Sequence, residues 1–271
     1  MRAINISFSN ENPFLGSVPP TISLPQTPLT GVVAQIKFPE VLAISKPEFV
    51  ADFQELVRAD YPLHSLERVP IFGLQDESVQ RSFVNHWRFF DANRHWRLSL
   101  TTNFVALETR VYKSRSDFTS RIFSVLQALS GTVKPNFVTR IGVRYVDRIH
   151  GDHLKGLAQY VRPEMLGLYT GEQIDNISRT VSEVFGQSDV GKVILRFGYM
   201  PPNSTHEPDL MPPISIPSWF LDTDVYTDFL EPKILQVSKI DKQVKQMAER
   251  VYGIFRWAVN DEFLRTCGGE I

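Results

Sequence analysis

Cysteine and long apolar runs are scarce in this sequence. The 271 residues include one cysteine, Cys267, so a disulfide within the chain is excluded. No stretch approaches the length of about eighteen consecutive apolar residues that a membrane-spanning helix needs, and the first residues lack the apolar core of a secretory signal. Because a lone thiol also suits a reducing compartment, we expect a cytoplasmic protein with no membrane partner.

Familiar catalytic and cofactor motifs are missing as well. The sequence contains no Walker loop, dinucleotide fingerprint, nucleophile elbow, zincin helix, kinase motif set or calcium loop. Glu108 could be a general base if it lined a cleft, although nearby arginines make an ion pair the simpler interpretation. His150 and His153 form the one compact histidine cluster, a spacing that is also ordinary for a surface loop. We therefore predict no cofactor, no metal site and no catalytic residue, and a non-enzymatic role is favoured over an enzymatic one.

The composition is that of a folded globular protein. Hydrophobic residues make up 42% of the chain and charged residues 22%, which excludes a disordered or fibrous class. Five prolines within residues 1–30 predict an irregular arm, since proline donates no backbone hydrogen bond. The remainder, residues 31–271, is predicted to form a single domain with two possible sub-units, 31–150 and 151–271.

Hydrophobic periodicity predicts the order of the secondary-structure elements. Strands are expected at Val32–Phe38, 82–90, 95–102, 104–112, 137–149, 177–186, 191–200 and 218–229. Helices are expected at Pro47–Tyr61 with Ser45 as its N-cap, from Ser116 or Asp117 to about Gly131, over 153–161, and as one long helix from Ser238 to Cys267. Because the strands follow one another directly, the predicted fold is α+β: a mainly antiparallel sheet with amphipathic helices packed on one face and a long C-terminal helix.

Charge is distributed unevenly although the net charge is only −1. Residues 81–148 contain twelve lysines and arginines against four acids, whereas residues 203–232 contain six acids and no basic residue. Side chains alternate along a strand, so one face of 137–149 carries Arg140, Arg144 and Arg148. The same alternation aligns three acids in 218–229, namely Asp222, Asp224 and Asp228.

These two stripes have two interpretations. In the structural one, arginines and aspartates pair across neighbouring strands or across a subunit contact. In the functional one, the arginine stripe with Arg97 stays open and binds the phosphates of a nucleotide or nucleic acid. Both interpretations remain open at this point, and the structural one is favoured.

The predicted C-terminal helix suggests a second contact surface. Trp257 and Phe263 lie off its main apolar stripe, which is typical of a helix buried on several sides or engaged in a dimer contact. Asp261 and Glu262 lie late in that predicted helix, where the dipole disfavours anions. We therefore expect these acids to have a partner elsewhere.

Four segments also carry a resemblance to a known family. They are Pro28-Leu29 with Val32–Phe38, Trp96–Leu100 with Asn103–Thr109, Arg140–Ile149, and Phe255–Leu264 with Gly268. With these segments the chain resembles a sporadically distributed prokaryotic family of conserved hypothetical proteins of this length. Asn260 stands where that family has a threonine before Asp-Glu. The resemblance implies no site residues, but a sporadic distribution suits accessory or defence-type genes.

The function expected from these observations is that of an interaction or regulatory protein. It would be an oligomer, or one subunit of an accessory or defence-type two-component system, with a protein partner or a second copy bound through Asp222, Asp224, Asp228, Trp257 and Phe263. The alternative is a nucleotide- or nucleic-acid-binding protein that uses Arg97, Arg140, Arg144 and Arg148.

Overall fold

The computed structural model describes residues 11–75, 78–168 and 177–271, with side chains outside 71–82. The first ten residues of the predicted arm and the side chain of Arg81 lie outside the described part. The strands are β1 (Leu29–Lys37), β2 (Leu63–Gln75), β3 (Ser78–Phe90), β4 (Trp96–Leu100), β5 (Phe104–Thr109), β6 (Phe137–His150), β7 (Ser182–Gln187), β8 (Lys192–Met200) and β9 (Ser218–Ile234). The helices are α1 (Pro47–Val57), α2 (Arg115–Gly131), α3 (Asp152–Lys155), α4 (Leu157–Tyr160), α5 (Val237–Ala258) and α6 (Asp261–Thr266).

The nine strands form one antiparallel sheet, which confirms the predicted α+β class. Their order is β2-β3-β4-β5-β1-β6-β9-β8-β7. The chain divides into two compact units, each assembled from separate stretches. Unit 1 comprises the described parts of 1–32, 143–226 and 246–271, and unit 2 comprises those of 33–142 and 227–245. None of the described helices is long and apolar enough to cross a membrane.

In unit 2, two helices cover one face of the meander. Phe89 of β3 pairs in register with Leu98 of β4, so their side chains share a face. Phe53 of α1 packs on Phe89 with ring centroids 5.8 Å apart. Phe118 of α2 stacks on Trp96, two residues before Leu98, at 6.0 Å. The predicted packing of amphipathic helices on one face therefore holds within this unit.

The N-termini of the first two long helices differ from prediction. Ser114, rather than Ser116 or Asp117, caps α2, because its hydroxyl accepts a 3.1 Å hydrogen bond from the backbone N–H of Asp117. Lys46 occupies the N-cap position of α1 without a side-chain bond, and the predicted cap Ser45 ends a preceding 3₁₀ turn. Proline at the first position of α1 supplies the helical φ that a cap would otherwise help to set.

The predicted C-terminal helix is broken in two. Helix α5 ends at Ala258, and α6 begins at Asp261. Asn260 is the N-cap of α6, and its side-chain oxygen accepts a 2.9 Å hydrogen bond from the backbone N–H of Phe263. Asp261 and Glu262 thus stand in the first turn of a helix, where the dipole favours anions. The expectation that they sit unfavourably late in a helix was wrong, and the cap at Asn260 is the reason.

In unit 1, β7, β8 and β9 form an antiparallel edge, and one glycine there permits a close backbone approach. A Cβ added to Gly198 of β8 would lie 2.1 Å from the backbone carbonyl oxygen of Thr180. Since that oxygen belongs to the main chain, side-chain rotation cannot relieve the clash.

We predict that Gly198→Ala lowers the free energy of unfolding by more than about 1 kcal/mol. Urea denaturation followed by circular dichroism measures the change. Gly131→Ala is the matched control, because its added Cβ would meet only a Leu56 methyl at 3.9 Å. The control should be neutral or slightly stabilising, and an equal loss in both variants would contradict the explanation.

Candidate functional site

The centre of the predicted arginine stripe is an ion pair inside unit 1. Arg144 of β6 donates two hydrogen bonds to Asp222 of β9, from Nε to Oδ1 at 2.7 Å and from Nη2 to Oδ2 at 2.6 Å. Its third nitrogen, Nη1, donates to Glu207 at 2.9 Å. Asp222 has no solvent exposure. The predicted stripes meet here as a bidentate pair within the chain.

Two further groups surround the buried carboxylate of Asp222. His206 Nε2 lies 3.4 Å from Oδ2, with its ring stacked on Phe220 at 5.0 Å. Arg196 of β8 lies 3.8 Å from the same oxygen. Burial opposes ionisation of Asp222, but hydrogen bonds from Arg144 and His206 outweigh it, so its pKa lies below the usual value. The carboxylate is therefore held charged in the interior.

The other three arginines predicted to form the stripe also contact groups within the chain. Arg140 pairs with Asp228 at 3.3 Å within unit 2, and Arg97 pairs there with Glu108 at 2.5 Å. Arg148, only 6% exposed, donates from Nη2 to the backbone carbonyl of Pro212 at 2.5 Å. Burial lowers the pKa of Arg148. These contacts agree with the structural interpretation of the stripe, in which the arginines bind groups within the chain, although the buried Nε of Arg148 has no hydrogen-bond partner among the described residues.

Three other candidate residues from the sequence are Asp224, His150 and His153. Asp224 of β9 is half-buried and adds to the negative field that raises the pKa of Arg144. His150 is exposed at the end of β6. His153 packs edge-on against Tyr160 and Phe263, at 6.0 Å and 5.7 Å. Among the described residues, no group of three or more histidine, cysteine, aspartate or glutamate side chains could hold a metal ion.

Asp147, which lies near the His150 and His153 cluster in sequence, is a buried acid. Asp147 is three residues from Arg144 in β6. Because side chains alternate along a strand, the two lie on opposite faces of the sheet. The exposure of Asp147 is 7%, and burial together with the negative charge of Asp222 raises its pKa to about 8. A carboxyl group with this pKa is mostly protonated, and therefore neutral, at neutral pH.

Unit 1 also contains a cleft that has two chambers. The polar chamber, of about 320 Å³, lies at the C-terminal end of α5 and is lined in part by Glu11, Ser17, Arg256, Trp257 and Asp261. The apolar chamber, of about 370 Å³, is lined mainly by Phe14, Met165, Val184, Leu195, Phe197 and Trp257. Trp257 borders both chambers, so we name this feature the Trp257 cleft.

Trp257 is fixed in place by Arg162. The guanidinium carbon of Arg162 lies 4.3 Å from the centroid of the indole ring, and its Nε donates to the Trp257 carbonyl at 2.9 Å. The indole thus presents a preorganised, half-buried surface to the cleft. Phe263, the other aromatic residue predicted from this region, is 1% exposed and lies in the core.

The N-terminal arm forms a wall of the cleft and is bound through its main chain. Arg250 Nη1 donates to the carbonyls of Pro13 at 3.2 Å and Gly16 at 2.8 Å. Its Nε and Nη2 each lie 3.1 Å from Asp189. Tyr252 donates to the carbonyl of Pro20 at 3.1 Å. The described arm, 11–28, contains no helix or strand, and these side chains of α5 satisfy its carbonyls instead.

Beside the cleft, β7 is an edge strand with exposed apolar side chains. It is last in the strand order, and among the described strands it pairs only with β8. Val184 is 40% exposed and lines the apolar chamber, while Phe185 on the other face is 70% exposed. Sequence reasoning missed this site, because the arm and α5 are far apart in sequence and no motif links them.

Comparison with known proteins gives no relative. No family model, no curated protein and no solved structure matches the chain. The fold and the cleft therefore define it only as an α+β protein with an apolar edge strand.

Proposed function

We propose that the chain is a non-enzymatic interaction protein that binds another polypeptide along β7. The partner is a second copy of this chain or the other subunit of an accessory or defence-type pair, as the family resemblance suggests. The observation that carries the proposal is Phe185, which is 70% exposed on a strand at the end of the sheet order.

An unprotected edge strand is a site where other chains can pair. An exposed edge strand offers backbone donors and acceptors to other chains, and proteins usually protect it with charge, proline or a cover. In β7, the one charged residue, Glu183, is paired with Arg196, and the neighbouring residues Val184 and Phe185 offer apolar side chains on both faces. A polypeptide that adds as a strand gains main-chain hydrogen bonds from the edge and specificity from alternate side chains.

The arginine stripe gives less support to the nucleic-acid alternative. Arg144 and Arg140 already face aspartates at 2.6 Å and 3.3 Å, and Arg97 faces Glu108. Phosphate binding would have to displace these carboxylates. We therefore prefer polypeptide binding, and the nucleic-acid hypothesis stays a prediction that salt-dependent binding would identify.

Selection from a displayed library of random peptides tests the proposal without assuming a sequence for the partner. We expect the wild-type chain to enrich related peptides, and Phe185→Asp to abolish that enrichment by adding a charge to the contact surface. Light scattering over a range of concentrations shows whether a second copy occupies the same edge.

Leu56→Asp is the matched control, because Leu56 is 58% exposed on α1 and belongs to unit 2, whereas β7 belongs to unit 1. Both substitutions replace exposed apolar groups, so both variants should fold. Failure to enrich any peptide family, with no self-association, would contradict polypeptide binding. Equal binding by Phe185→Asp would exclude β7.

A further inference from the structure

The Trp257 cleft points to the chemistry of the bound polypeptide. We infer that it takes a basic segment with one bulky apolar side chain, which enters the apolar chamber while flanking lysines or arginines meet carboxylates at the rim. This inference rests on the proposed function and specifies the partner's sequence class.

The apolar chamber lies where an added strand would place a side chain. Val184 of β7 pairs in register with Leu195 of β8, so both side chains lie on one face of the sheet and line the chamber. A strand added beside β7 points alternate side chains to that same face. One of them would therefore project toward the chamber wall formed by Val184.

The size of the chamber suits a large side chain. Its volume is about 370 Å³, and Met165, Leu195 and Phe197 on its wall are each at most 5% exposed. Phe14 and Trp257 add aromatic surface. Apolar pockets of this kind beside a binding surface hold the aromatic or aliphatic anchors that supply most of the affinity at interfaces.

The charge at the rim selects for cations. Glu164 lines the apolar chamber and is exposed, and it interacts electrostatically with Arg162 without an ion pair to any described residue. The Asp261 side chain on the polar chamber lies 3.6 Å from Arg256 Nη2 but is 52% exposed, so its carboxylate still faces solvent. The arginines of that chamber are far less accessible, with side-chain exposures of 6% for Arg250 and 13% for Arg256. Arg250 is also engaged by Asp189 and by arm carbonyls. An approaching segment therefore meets accessible negative charge.

Binding of defined peptides tests the inference. The probes are dye-labelled, terminally blocked heptapeptides: Lys-Lys-Val-Phe-Val-Lys-Lys, a version with glutamate for every lysine, and a version with alanine for phenylalanine. Fluorescence anisotropy on the full chain gives the affinities. We expect the lysine peptide to bind at least about tenfold more tightly than either of the other two.

Variants of the cleft separate the anchor from the rim. Trp257→Ala should weaken the lysine peptide about thirtyfold, as expected for an aromatic residue at the centre of an interface. Glu164→Gln should weaken it about two- to fivefold and reduce its advantage over the glutamate peptide. Val184→Asp provides a second test of the chamber if Trp257→Ala does not fold. Glu48→Gln, an exposed acid on α1, is the control and should bind as the wild type does.

The outcomes distinguish this inference from the proposed function. Equal affinity for the lysine and glutamate peptides, or binding unaffected by Trp257→Ala or Val184→Asp, would overturn the inference. The library selection makes no assumption about charge. If it enriches neutral or acidic peptides that depend on Phe185, the proposed function stands and the inference fails.

Discussion

Alanine in place of Arg144 is expected to lower the free energy of unfolding by about 3 kcal/mol at neutral pH. The substitution removes both hydrogen bonds to Asp222 and leaves a carboxylate with no solvent exposure. The cost falls at the lower end of the range for a broken buried pair, because Arg196 and His206 remain within 3.8 Å. Urea denaturation at several pH values measures it.

The dependence on pH follows from the lowered pKa of Asp222. In the wild type, the pair contributes stability above the ordinary pKa of 3.8, and this contribution is lost as the pH falls through the lower folded value. The difference between wild type and Arg144→Ala should therefore narrow in acid. Adding Asp222→Asn to Arg144→Ala should recover part of the loss, since the uncompensated charge is gone.

Arg58→Ala is the control for this prediction. Arg58 pairs with Glu55 on α1 at 2.7 Å, but both side chains are more than 60% exposed. Solvent screens such an exposed pair, so Arg58→Ala should change the free energy of unfolding little. If both arginine variants lost the same small amount, Asp222 would not depend on Arg144 for its charge.

Asparagine in place of Asp147 should have the opposite effect and stabilise the folded chain at neutral pH. Burial raises the pKa of Asp147 from 3.8 to about 8, so the folded chain holds a proton that the unfolded chain releases. Below about pH 4, Asp147 is protonated in both the folded and the unfolded chain, so it does not lower the free energy of unfolding there. Between about pH 4 and 8 the wild type loses roughly 1.4 kcal/mol of stability per pH unit from this group. The advantage of Asp147→Asn should grow over that interval to several kcal/mol and then level off.

Thermal or urea denaturation between pH 4 and 9 measures this advantage. Asp152→Asn is the matched control, because Asp152 is exposed and pairs with Lys155 at 2.8 Å. The control should shift stability little and without the same slope. A constant difference between wild type and Asp147→Asn across the range would mean that Asp147 is ionised in the folded chain.

The antiparallel α+β architecture and the pairing of the two charged stripes were accessible from the sequence. Strand alternation places Arg144 and Asp222 on defined faces, and opposite charge then favours their contact once β6 and β9 are neighbours. Alternation along a strand does not show that β6 and β9 are neighbours in the sheet, because 78 residues separate Arg144 from Asp222. The choice between a paired and an open stripe therefore needed the fold.

The Trp257 cleft was beyond prediction for a different reason. Its walls come from the arm, from Met165, from β7 and β8, and from α5, and no short-range pattern encodes that meeting. The end of α5 at Ala258 was not predicted, because apolar residues continue at helical spacing beyond it. The break is formed by the Asn260 cap and by a bridge between Val259 and Val161, and neither is evident from a helical pattern of residues.

The binding of the arm through its carbonyl groups has a consequence for how the cleft can vary. Arg250 and Tyr252 recognise oxygens of Pro13, Gly16 and Pro20, which every amino acid carries. The side chain of Phe14, which lines the apolar chamber, takes no part in these three hydrogen bonds, so we expect the attachment to persist when Phe14 is replaced. Under the proposed function, the side chain that would contact a peptide and the oxygens that hold the arm are separate atoms of one segment, so a change in specificity there should cost little folding stability.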